Sequence, residues 1–133
     1  MNDVWVNEFI NIPFVEKGRS REGCDCWGLA TVIYKEKLNI DLPLLLDYDS
    51  TRDCKNIAEL YNYEHLRWQE IPLGEEKPFD IIIIKINSFP THVGIIYEKG
   101  LMIHCEKNIG THVSEYYKEH QLKNRIVGIY RYE

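Results

Sequence analysis

The chain has 133 residues, 44% hydrophobic and 28% charged, with a formal net charge of −5, the profile of a single globular domain over residues 1–133 with one buried core. The acidic balance excludes the basic footprint of a nucleic-acid or membrane-surface binder, and the one acidic cluster, Glu75-Glu76, reads as a solvated loop. No apolar run approaches the ~18 residues of a membrane span. The start, MNDVWVNEFINIPF, lacks the basic head, apolar stretch and cleavage site of a signal peptide, so synthesis in a reducing cytoplasm is expected, with Cys24, Cys26, Cys54 and Cys105 as free thiols.

In chain order, residues 3–10 read as a short helix or irregular lead-in that ends near Pro13. EKGRSREG (16–23) is polar, carries two glycines and is expected to be an exposed loop. From Cys26 to Leu38 the pattern is helical: Leu29, Ala30, Val32 and Ile33 form an apolar face, Lys35, Glu36 and Lys37 suit a solvated one, and Asp25 stands at the N-cap position. A second helix is expected from about Thr51 to Tyr63, opened by Asp49 and Ser50. The second half turns to strands: 78–86, 91–100, 101–108 and 125–133 are rich in β-branched and aromatic residues, with Lys99-Gly100 as a hairpin turn. Residues 111–121 read as a short strand and a helical turn. Helices first and a meandering antiparallel sheet afterwards define an α+β fold. Trp5, Trp27 and Trp68 are core or cleft-lining candidates.

Two cysteines flank Asp25. A thiol with a pKa near ~8.5 becomes a useful nucleophile when a helix N-terminus or a histidine lowers the cost of its thiolate. Cys26, at the predicted helix start, has the first device, whereas Cys24 is expected in the upstream loop. The histidine must come from elsewhere. In a hairpin centred on Lys99-Gly100, His92 falls opposite about residue 107 and His104 opposite about residue 95. The two histidines share parity and one sheet face. His92 can then accept the thiol proton while His104 orients it. Glu106 and Tyr97 are further candidates for the cleft. A zinc site from Cys24, Cys26, His104 and Cys105 is disfavoured, because C-x-C is tighter than ordinary ligand spacing and residues 104 and 105 face opposite ways. A redox pair would need C-x-x-C. Cys54 and Cys105 read as ordinary thiols, and His65, His112 and His120 as surface or turn residues.

GCDCWGLATVIYKEKLNIDLP (23–43) resembles the nucleophile segment of the NlpC family of cell-wall cysteine peptidases, in which an Asp-Cys pair opens a helix and Gly-Leu follows one residue later. PFDIIIIKI and THVGIIYEKGLMIHCEK resemble that family's second half: an apolar strand after Phe-Asp, then His-Val-Gly-Ile, then an apolar-His strand. The resemblance implies a papain-like NlpC-type fold, with N-terminal helices packed on a central antiparallel sheet. It implies Cys26 as nucleophile, His92 as base and His104 as the orienting residue, with Asp25, Trp27, Gly28 and Gly94 in supporting roles and neither metal nor cofactor. The implied substrate is the peptide stem of peptidoglycan, commonly cut at γ-D-glutamyl bonds. Trp27, where familiar secreted members carry Ser, together with the IPFVEKGRSREG lead-in and the GIYRY ending, resembles the short branch linked to phage tails and prophages. That branch implies other phage tail proteins as partners, bacterial synthesis without a signal peptide and delivery in the tail. Two alternatives stand beside hydrolysis: a tail assembly protein that keeps the fold without activity, and an acyl or amide transferase with the same triad.

Overall fold

The computed structural model describes residues 4–46, 48, 68–86 and 89–132. The helix expected over 51–63, together with Cys54 and His65, lies outside the described residues. A 3₁₀ helix (Val4–Phe9) is followed by a small hairpin of β1 (Arg19–Ser20) and β2 (Gly23–Cys24), then α1 (Cys26–Ile33), which runs on into a π turn at Tyr34–Leu38. After these come β3 (Trp68–Ile71), β4 (Ile81–Ile86), β5 (Phe89–Glu98), β6 (Leu101–Glu106), β7 (Gly110–Glu115), α2 (His120–Lys123) and β8 (Ile126–Tyr132). The six long strands form one antiparallel sheet in the order β3-β8-β4-β5-β6-β7, which is the expected α+β arrangement.

The sheet has two covered faces, and β4 shows why. Ile81 and Ile83 join the cluster around α1, with Val93, Ile95 and Ile103. Ile82 and Ile84 point the other way, into a second cluster with Ile71, Ile96, Met102, Tyr116 and Ile129. Strand alternation and an unbroken isoleucine run therefore supply both layers. Helix α1 is buried all round: each of its eight residues is buried. The expected solvated face is thus confined to the π turn, where Lys35 and Glu36 are exposed. Asn39 stops this helical segment in the left-handed region at φ 54°.

Four readings of the sequence are corrected. Residues 16–23 are not simply exposed: Gly23 is buried and the Arg19 side chain is only 10% accessible, because the hairpin folds back onto the start of α1. Cys24 is not in a loop but on β2, fully buried. Glu76 is not solvated: it is 6% exposed and accepts hydrogen bonds from the hydroxyls of Tyr116 (2.5 Å) and Tyr117 (2.7 Å) and from the Gly74 N–H (2.7 Å). The β5–β6 register is one residue off the symmetric expectation, since a bulge between Ile96 and Glu98 pairs His104 with Gly94 instead of Ile95. Strand β3, on the sheet edge against β8, was not anticipated.

Gly28 lies one turn into α1, where the hairpin crosses it. A Cβ there would come within 1.9 Å of the Gly18 carbonyl oxygen, which is backbone and cannot swing aside. Gly28→Ala is expected to cost about 2 kcal/mol or more through this overlap, read as a lowered urea midpoint with an unchanged slope.

Candidate active site

The site begins with the cap of α1. The Asp25 carboxylate accepts from the Gly28 N–H at 2.9 Å while its carbonyl takes the Leu29 N–H at 3.0 Å, the N-cap geometry expected from sequence. Asp25 is 1% exposed, yet it also accepts from the Lys17 N–H (3.1 Å), the Arg19 guanidinium (2.6 Å) and the Tyr48 hydroxyl. Arg19 spends its remaining donors on the carbonyls of Gly18, Leu44 and Leu45 and on Tyr48. A buried carboxylate thus ties the hairpin, the helix start and the segment through residue 48 together. Trp27 is buried, with its indole N–H donating to the Pro43 carbonyl at 2.7 Å, so it anchors that same segment.

Cys26, 8% exposed, is the first residue of the helix and stands at the positive end of its dipole. Its Sγ lies 3.7 Å from the carbonyl oxygen of Thr91, the residue before His92. His92 and His104 are both buried, and their rings meet edge-on with His92 Nε2 2.7 Å from His104 Nδ1. Gly94 lies two residues beyond His92 on the same strand face. It faces His104 directly, and a Cβ there would sit 2.5 Å from the Met102 sulfur. The far nitrogen of His104, Nε2, is 2.8 Å from Ser114 Oγ. Burial pushes the His92 imidazolium down to about 4 and that of His104 lower still, the latter helped by repulsion from its histidine neighbours. Both rings are therefore neutral near pH 7, and with His92 Nε2 engaged, its Nδ1 is the nitrogen left to take a thiol proton.

The expected residues thus converge: α1 brings Cys26 to the start of β5, and β5 and β6 hold the imidazole pair. Cys24 and Cys105 stand apart from the imidazoles; the Cys105 thiol donates to the Cys24 carbonyl at 3.2 Å. Its contact with Cys24 and its burial push the Cys105 pKa well up. Tyr97 packs edge-on against Trp5 at 5.9 Å. Glu106 and His112 are half-buried beyond His104, and His120 opens α2. Reasoning from sequence missed Arg19, Tyr48 and Ser114, and read His112 as surface. A signal existed for Ser114 and His112. The short turn between Glu106 and Gly110 fixes a register that sets His112 opposite His104, with Ser114 two residues on and on the same face.

A cysteine-led helix packed on an antiparallel sheet that carries paired histidines is the NlpC-type α+β arrangement. The model of the NlpC/P60 family matches residues 11–131, and the chain belongs to that family. Among curated proteins it is 28% identical over 107 residues to a "Probable endopeptidase" of Haemophilus influenzae, covering 78% of this chain and 56% of the relative; the chain thus spans little more than half of that protein's length. Among solved structures, NlpC1 from Trichomonas vaginalis superposes with a TM-score of 0.71 at 22% identity, covering 96% of this chain and 41% of the other. The NlpC/p60 domain of the peptidoglycan hydrolase SagA gives 0.66 at 16% identity, covering 94% and 91%. These two likenesses show the fold.

Two outcomes follow from the site's electrostatics. Arg19→Ala leaves Asp25 buried without its counter-charge and is expected to cost about 3 kcal/mol or more, measured by denaturant unfolding. The folded pKa values of His92 and His104 lie below the ordinary ~6.5. Between that value and about 4 the unfolded chain takes up protons that the native state does not. Stability is therefore full above about pH 6.5 and is lost as pH falls toward 4, by up to about 1.4 kcal/mol per pH unit for each such histidine. In urea titrations from about pH 7 to about pH 5, His104→Gln should show a shallower loss than the wild type.

Proposed function

We propose that this chain is a cysteine peptidase that hydrolyses an amide bond in the peptide stem of peptidoglycan, with Cys26 as nucleophile, His92 as general base and His104 as the residue that orients it. The observation that carries this reading is the buried His92–His104 pair, closed at 2.7 Å, at the strand end where the helix-borne Cys26 thiol approaches. Membership of the NlpC/P60 family supports it, as do a "Probable endopeptidase" and a peptidoglycan hydrolase among the similar proteins.

The proton inventory is consistent. Cys26 gives its proton to Nδ1 of neutral His92. The resulting imidazolium donates from Nε2 to Nδ1 of His104, so His104 must carry its own proton on Nε2, where Ser114 Oγ can accept it. The thiolate attacks the amide carbonyl, and the N–H groups at the start of α1, that of Cys26 first, stabilise the oxyanion. His92 returns its proton to the leaving amine, leaving a thioester that water hydrolyses with His92 again as base. The finer assignment, cleavage at a γ-D-glutamyl bond by a hydrolase carried in a phage tail, rests on the resemblance of the Cys26 segment and of the chain's two ends to that branch of the family.

The deciding experiment is mass-spectrometric analysis of purified peptidoglycan after incubation with the wild type and with Cys26→Ala. Hydrolysed stem fragments should appear with the wild type, identify the bond, and fall by about four orders of magnitude or more in the variant. Equal release by Cys26→Ala overturns the assignment. Products joined to an added amine in place of water would make the chain a transferase.

A further inference from the structure

Next to the imidazole pair, Glu106 and His112, which the hydrolytic steps do not use, converge with His104 on one spot. His104 and Glu106 are two residues apart on β6, and His112 on β7 is the direct cross-strand partner of His104, so strand alternation puts all three on one face. The turn that joins them is tight: the Ile109 N–H bonds back to the Glu106 carbonyl at 3.1 Å, and Asn108 and Gly110 sit at positive φ. A Cβ at Gly110 would lie 2.7 Å from the Ile12 carbonyl oxygen, so the N-terminal lead-in braces the turn. Glu106 Oε1 is 2.7 Å from His112 Nε2 and 3.7 Å from His104 Nε2, and one donor atom from each residue lies within 4.8 Å of the others. Donor atoms around a tetrahedral zinc ion stand about 3.3 Å apart, so small rotations of the two half-exposed members bring the set onto one ion. Two imidazoles and a carboxylate are a donor set suited to Zn²⁺.

We propose that His104, Glu106 and His112 form a divalent-cation site of zinc type, and that filling it switches the catalytic pair off. The site itself depends only on these three residues; the inhibition rests on the catalytic reading above. In the hydrolytic state His104 carries its proton on Nε2 and His92 carries its own on Nε2, leaving His92 Nδ1 open to the thiol. A metal on His104 Nε2 needs the lone pair there, so the His104 proton must reside on Nδ1 and donate to His92 Nε2. The His92 proton is then on Nδ1. Each ring keeps one proton, moved to its other nitrogen, and the lone pair of His92 faces His104 instead of Cys26. Ser114 loses its bond to His104 Nε2 in the same step.

The test separates site from effect. Cys26→Ala, which removes the competing thiolate, is titrated with Zn²⁺ by calorimetry and with Co²⁺ by visible absorption. One equivalent should bind, with the bands of a tetrahedral nitrogen–oxygen site and no thiolate charge-transfer band. Adding His112→Ala or, separately, Glu106→Ala should weaken binding by about 100-fold or more; unchanged affinity in both overturns the site. On Zn²⁺ addition the ¹⁵N resonance of His92 Nδ1 should move from the unprotonated to the protonated range. Hydrolysis is compared as the ratio of rates with and without Zn²⁺ within each protein: a large drop for the wild type, a ratio near one for His112→Ala. Binding without any fall in the wild-type rate overturns the switch. If no protein hydrolyses peptidoglycan, the catalytic reading fails, while the titrations and the His92 resonance still decide the site and its tautomer change.

Discussion

A carboxylate removed from water holds the front of this molecule together. Asp25 is fully enclosed, and a bare charge in that position would cost several kcal/mol. It is tolerated because four donors converge on it: two backbone N–H groups, the Arg19 guanidinium and the Tyr48 hydroxyl. The donors come from three stretches of chain, so satisfying one charge fixes the hairpin, the first turn of α1 and the segment through residue 48 at once. The position of Cys26 follows, because the residue after an N-cap has little conformational choice. The helix whose end it occupies is itself buried on every side.

The imidazole pair is held differently. His92 and His104 sit on neighbouring strands of a sheet covered on both faces, and each ring nitrogen of His104 is within hydrogen-bond distance of a partner. Such rings cannot turn without breaking a bond in a low-dielectric setting, where the loss is expensive. The same enclosure keeps both neutral, as the role proposed for His92 requires. Rigidity and protonation state therefore have one cause, desolvation on a sheet.

The fold class, the helix start at Cys26, its cap at Asp25 and the strand pair bearing the histidines were legible because each rests on a local pattern: a cap residue before an apolar helix, β-branched runs, a Lys-Gly turn. Arg19 was not legible, since its partner is a side chain six residues away whose burial no local pattern reveals. Glu76 escaped for a similar reason: two tyrosines about forty residues downstream solvate it in place of water. Strand β3 is an edge strand that owes its existence to β8, and its own four residues show no clean alternation. Ser114 could have been reached by extending the β6–β7 register two residues past His112.

The bulge between Ile96 and Glu98 has a bearing on how such a protein can diversify. It sets the phase between two strands whose side chains alternate; in the turn Gly100, at φ 92°, is held to glycine, while Lys99 can exchange residue type with little consequence for the histidines. A single insertion or deletion there is a different matter: it would rotate His104 onto the opposite face of the sheet and bring Ile103 (insertion) or Cys105 (deletion) into its place. Among descendants of this chain, that hairpin should keep its length and its glycine, while length changes accumulate where no alternation has to be kept.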